Sequence, residues 1–118
     1  MPVAVARVFE TRGHEVVPFG DVLQRGSPDV VVCRAAEAND AVLIAFDKDM
    51  KAIARRLGIT GERFKRLNLI HFQCPEPQAA RRLTEAMSFV EHEWAWGEGK
   101  GARRIHLSIG AQVLRTYR

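Results

Sequence analysis

Residues 41–46 read AVLIAF, an unbroken apolar run. A strand with one wet face alternates apolar and polar residues, because successive side chains point to opposite sides. A run that is apolar at every position fits a strand covered on both faces, as in the parallel sheets of α/β folds. The run leads directly into Asp47, Lys48 and Asp49. Two carboxylates therefore leave a buried strand at its C-terminal end.

The flanking segments supply the rest of such a sheet. In PVAVARVFETRG, Pro2 suits a first helical turn, Val5, Val8 and Phe9 recur at helical spacing, and Gly13 suits a C-terminal cap. HEVVPF reads as a short strand from its β-branched content. Ser27 offers an N-cap and Pro28 a first helical position, opening a helix over PDVVVCRAAEAN with Asp29 in its first turn. After Asp47, the stripe Met50, Ile53, Ala54 and Leu57, closed by Gly58, predicts a short amphipathic helix. RLNLIHF predicts a further strand, and a longer helix begins near Pro77 with Ala80, Leu83, Met87 and Val90 on one face. RRIHLSI and QVLRTYR, separated around Gly110, read as two strands able to pair as a hairpin. The order predicts an α/β fold, with helices on both faces of a mostly parallel sheet.

The 118 residues set a single core. WGEGKG, residues 96–101, is the one linker-like piece, which divides the chain into an α/β domain over 1–95 and a basic strand extension over 96–118. An apolar share of 47 % and a charged share of 27 % argue against disorder. No apolar run approaches the roughly 20 residues that cross a bilayer, and no secretory leader layout is present, so a cytoplasmic protein without membrane contact is expected. Cys33 and Cys74 show no ligand spacing and are read as reduced core thiols; the four histidines show no i,i+4 pairing for zinc. The net charge of +4 suits a polyanionic partner, and residues 100–118 hold Lys100, Arg103, Arg104, Arg115 and Arg118 without an acid. A solvated basic edge explains the same residues.

In a parallel sheet, loops leaving the strands' C-terminal ends share one rim with the N-termini of the helices, and ligands bind there. Asp29, Asp47 and Asp49 are thereby directed to one rim. Carboxylates held together repel unless a cation or protons neutralise them, and an all-oxygen set suits Mg²⁺ or Mn²⁺. Asp29 equally suits a helix N-terminus, and Asp49 a helix cap.

RGHEVV at 12–17, Ser27-Pro28-Asp29, and AVLIAFDKDM at 41–50 resemble the PIN-like nucleases, in particular the small branch related to ribonuclease toxins of toxin–antitoxin systems. The likeness covers roughly residues 2–93 in element order. It implies a three-layer PIN-like fold with a C-terminal hairpin or strand appendage, and a metal-dependent phosphodiesterase that cleaves RNA. Asp29 and Asp47 are then metal ligands, Asp49 completes the acidic cluster, and Mg²⁺ or Mn²⁺ is the cofactor. Lys48, Lys51, Arg55 and Arg56 fit contacts to the RNA backbone, or an ordinary solvated helix face. An antitoxin protein and a homodimer are the further partners implied.

Three departures stand beside the likeness. The family pattern opens with a central strand ending in aspartate, whereas Met1-Pro2 stands here where the first helix begins. Ala45 replaces an expected hydroxyl residue, and Met50 an aromatic one. They motivate an alternative reading: a catalytically inactive PIN-like module that binds RNA or protein, with a strand swapped from a second copy filling the sheet.

Overall fold

A computed structural model describes residues 2–18, 29–46, 66–99 and 103–117. The first helix, α1 (Val3–Thr11), starts at Pro2, whose carbonyl accepts the N–H groups of Val5 and Ala6 at 3.1 and 3.2 Å. It ends in a paired closure: Gly13 N–H donates to the Glu10 carbonyl at 3.0 Å and His14 N–H to that of Phe9 at 3.1 Å. That closure needs a left-handed residue, and Gly13 supplies it at φ +86° without a side-chain penalty. Val5 and Phe9 face the core.

The next elements are α2 (Asp29–Ala38) and β1 (Val42–Phe46), joined by a tight turn through Asn39 to Ala41 with Asp40 at φ +52°. Then come β2 (Asn68–Gln73), a 3₁₀ turn (Glu76–Gln78), α3 (Ala79–Trp96), β3 (His106–Gly110) and β4 (Leu114–Thr116). The four strands form one sheet in the order β1-β2-β3-β4. β1 and β3 each run parallel to β2, with Ala45 beside His71 and His71 beside Ser108, while β4 returns antiparallel along β3. The molecule is an α/β fold with a mostly parallel sheet.

Alternation along the strands sends Ile70, Phe72, Leu107 and Ile109 to one face, where they meet Val5 and Phe9 of α1 and Leu83, Met87 and Val90 of α3. Phe46 and Phe72 stack there, with ring centroids 5.1 Å apart. The i, i+3, i+4 spacing of α3 gives it this apolar stripe. β3 joins the same core, since Ile105, Leu107 and Ile109 are all buried in it. Cys33 and Cys74 are both buried free thiols.

Two expectations change. His14 to Pro18 form no strand. A strand persists only with a ladder partner, and among the described residues none lies beside this segment, whose Glu15 and Val17 are exposed. β1, expected to be covered on both faces, has only Ala45 buried and its other four side chains half-buried, and among the described residues it stands at the sheet edge. The expected helix over 50–57 lies outside the described residues.

Candidate active-site rim of the sheet

Because β1, β2 and β3 are parallel, their C-terminal ends at Phe46, Gln73 and Gly110 lie along one rim. α2 packs against β1 and is joined to it by the Asn39–Ala41 turn, so it runs back along the strand. Ten helical residues rise about 15 Å and five strand residues about 16 Å, which brings the first residue of α2, Asp29, level with the end of β1. The 3₁₀ turn carries the chain from β2 into α3, whose first turn is at the same rim. A groove of about 340 Å³, lined by Pro2, Ala4, Val5, Glu76, Pro77 and Ala80, puts the start of α1 there as well. Among the described residues, three helix N-termini, each the positive end of a helix dipole, therefore lie at this rim.

Of the candidate acids, Asp29 opens α2, and Asp47 follows Phe46 directly in the sequence. Asp47 and Asp49 themselves, and the basic residues Lys48, Lys51, Arg55 and Arg56, lie outside the described residues. Among the described residues no group of three His, Cys, Asp or Glu side chains gathers as a metal site. The proposed donor set is three carboxylates, and hard oxygen donors fit Mg²⁺ or Mn²⁺ rather than a soft, sulfur-seeking metal.

The rim also holds two arginines that the motifs did not single out. Arg82 reaches from α3 to the end of β3, its Nε donating to the Gly110 carbonyl at 2.8 Å, and its Nη1 stands 3.4 Å from Glu85. Arg81 beside it is largely exposed. Cations in a helix's first turn oppose its dipole, and the pairing of both arginines with Glu85 one turn on offsets part of that. The Arg81-Arg82 pair just after Pro77 was the sequence signal. Cys74, at the end of β2, has its thiol pushed up by burial, an effect partly offset by a backbone hydrogen bond and by these arginines.

A second polar group lies on the sheet face opposite α1 and α3. His71, His106 and Ser108 are buried there, each no more than 6 % exposed. Their residue types gave no hint of this, because burial follows from sheet register. The His106 ring lies 4.6 Å from that of Tyr117, centroid to centroid. Burial first, then the charges of Arg103 and His71, push the His106 pKa down to about 4. Arg103 is itself lowered by burial.

None of the helices among the described residues is long and apolar enough to cross a membrane. Comparisons with protein-family models, with curated proteins and with solved structures found no match.

Proposed function

We propose that the chain is a metal-dependent ribonuclease of the PIN-like kind, acting as the toxin of a toxin–antitoxin pair. The observation that carries the reading is the rim: Asp47 is next in sequence to the last residue of a parallel strand, and Asp29 is the first residue of the helix packed on that strand. Asp29, Asp47 and Asp49 would hold Mg²⁺ or Mn²⁺. Such an ion, when bound, supplies Lewis acidity toward a phosphate and makes a bound water more acidic. The carboxylates would hold that charge and would orient a water toward phosphorus. Lys48, Lys51, Arg55 and Arg56 neutralise the RNA backbone as it crosses the rim, and an antitoxin or a second copy of the chain are the protein partners of this reading.

The test is Mn²⁺-dependent cleavage of single-stranded RNA by the protein and by Asp47→Asn. A loss of at least about a hundredfold is expected when one member of an acidic metal cluster loses its charge. Equal cleavage by both proteins removes the reading.

Ala45 favours a second reading. It is a buried methyl where the family resemblance expects a hydroxyl, which takes a hydrogen-bond donor from beside the acids. On that reading the chain binds RNA without cutting it. Salt-sensitive RNA binding, with no cleavage under Mg²⁺ or Mn²⁺, distinguishes the two.

A further inference from the structure

The polar face around His106 lies away from the rim and serves none of the chemistry above. His106 and Tyr117 are opposite residues across the β3–β4 pair, and the Tyr117 N–H donates to the His106 carbonyl at 2.9 Å. Their rings meet at 4.6 Å, tilted by 35°. His106 Nδ1 is buried without a hydrogen-bond partner among the described residues. His71 lies diagonally across from it on β2, since His71 pairs with Ser108, two residues along β3 on the same face. Arg103 bears on it from the segment leading into β3. Arg115 of β4 stands opposite Ser108, on the same face. The groups facing His106 are thus a second imidazole, a phenol and two guanidiniums, and no carboxylate among the described residues acts on it.

A proton taken up here adds a cation to a buried site already bordered by cations. Burial and like charge both oppose it, and neither is relieved while Tyr117 stays in place. The strand that leads into Tyr117 is the shortest of the described strands. β4 has three residues, all exposed, and among the described residues pairs with β3 alone, whereas Leu107 and Ile109 of β3 are locked in the main core. Lifting β4 and Tyr117 admits water to His106 and leaves that core intact.

We propose that His106 is the trigger of an acid-released strap: when its imidazole takes up a proton, Tyr117 and β4 leave the sheet edge while β1 to β3 stay folded. The sign follows from linkage. A base whose folded value is depressed, here to about 4 against an ordinary 6.5, weakens the closed state progressively as pH falls through that interval, and has no effect above it.

Amide hydrogen exchange on the full chain tests this, with rates corrected for intrinsic pH dependence. The protection of the Tyr117 amide is expected to fall about tenfold per pH unit between pH 6 and 4.5. The amides of Ile70 and Phe72 in β2 should keep theirs. In His106→Phe, which keeps a flat ring against Tyr117 but cannot titrate, Tyr117 protection should not change with pH. Should that variant not fold, NMR titration of the His106 ring in the unmodified protein replaces it, and its midpoint should lie below 6.5, at the low-pH end of the range over which Tyr117 protection falls. Three results overturn the proposal: unchanged Tyr117 protection down to pH 4.5, equal loss in His106→Phe, or simultaneous loss across β2, which is global unfolding. A His106 ring that titrates at its ordinary value of 6.5, above the range in which Tyr117 protection falls, overturns it as well.

Discussion

Asn68 shows how much one polar side chain contributes to this sheet. It is the first residue of β2 and is 2 % exposed, and its Oδ1 accepts the backbone N–H groups of Arg104 and Ile105 at 2.7 and 3.3 Å. Those donors belong to the segment that brings the chain from α3 back into the sheet. Arg104 is fixed further by its guanidinium, which lies 3.6 Å from the Trp94 ring centroid and donates to the Trp94 carbonyl at 2.9 Å. Asn68→Ala removes the shared acceptor and leaves a buried donor with nothing to bond. A loss of about 2 kcal/mol in urea unfolding is expected. A loss below about 0.5 kcal/mol would show that water substitutes at the site. Nothing in RLNLIHF marks this asparagine as a cross-link, because its partners are 36 and 37 residues away. The buried histidines were hidden from the sequence for the same reason.

At the scale of elements, the parts whose shape is a local property were legible. The stripe Leu83, Met87 and Val90 is the buried face of α3, and AVLIAF and RLNLIHF are adjacent parallel strands. Gly13 closes α1 because left-handed backbone at a helix end is also a local demand. HEVVPF failed because β-branched content sets only a propensity, while a strand requires a neighbour, and sequence near the segment does not specify one. α1 is tied to α3 through Arg12 and Glu91, with His14 3.5 Å from the same carboxylate. Arg12 foremost, and then His14, hold Glu91 below the usual carboxylate range. Packing dominates that junction over charge, since the ion pair is exposed and Leu83 is fully buried. Leu83→Ala should therefore cost about 3 kcal/mol in the unfolding midpoint, as a buried leucine that leaves a cavity does. Arg12→Ala should cost well under 1 kcal/mol. The reverse order would mean that the α1–α3 contact is electrostatic.

For the whole molecule, the parallel sheet sets one asymmetry: among the described residues, the starts of three helices and the ends of three strands share a rim. Asp29's position at a helix start was legible in its Ser-Pro-Asp context, whereas the proposed convergence of Asp29 with Asp47 and Asp49 would depend on residues far apart in the chain. Convergence has a thermodynamic signature that needs no catalysis. Three carboxylates brought together without a cation repel, so folding brings a cost that an ion removes. A ligand bound only by the folded state, at a hundred times its Kd, adds about 2.7 kcal/mol of stability. For a chain of this length that corresponds to roughly a 10 °C rise in Tm. Thermal unfolding with and without Mn²⁺ should show such a rise in the unmodified protein. Asp47→Asn should be slightly more stable than the unmodified protein without metal, because one repelling charge is gone, and nearly indifferent to Mn²⁺. Equal Mn²⁺ shifts in both proteins would place the ion elsewhere. A lower metal-free Tm for the variant would make Asp47 a structural hydrogen-bond acceptor instead of a member of a repelling cluster. A Mn²⁺ shift specific to Asp47, without RNA cleavage, would separate an assembled metal site from an active one and favour the RNA-binding reading.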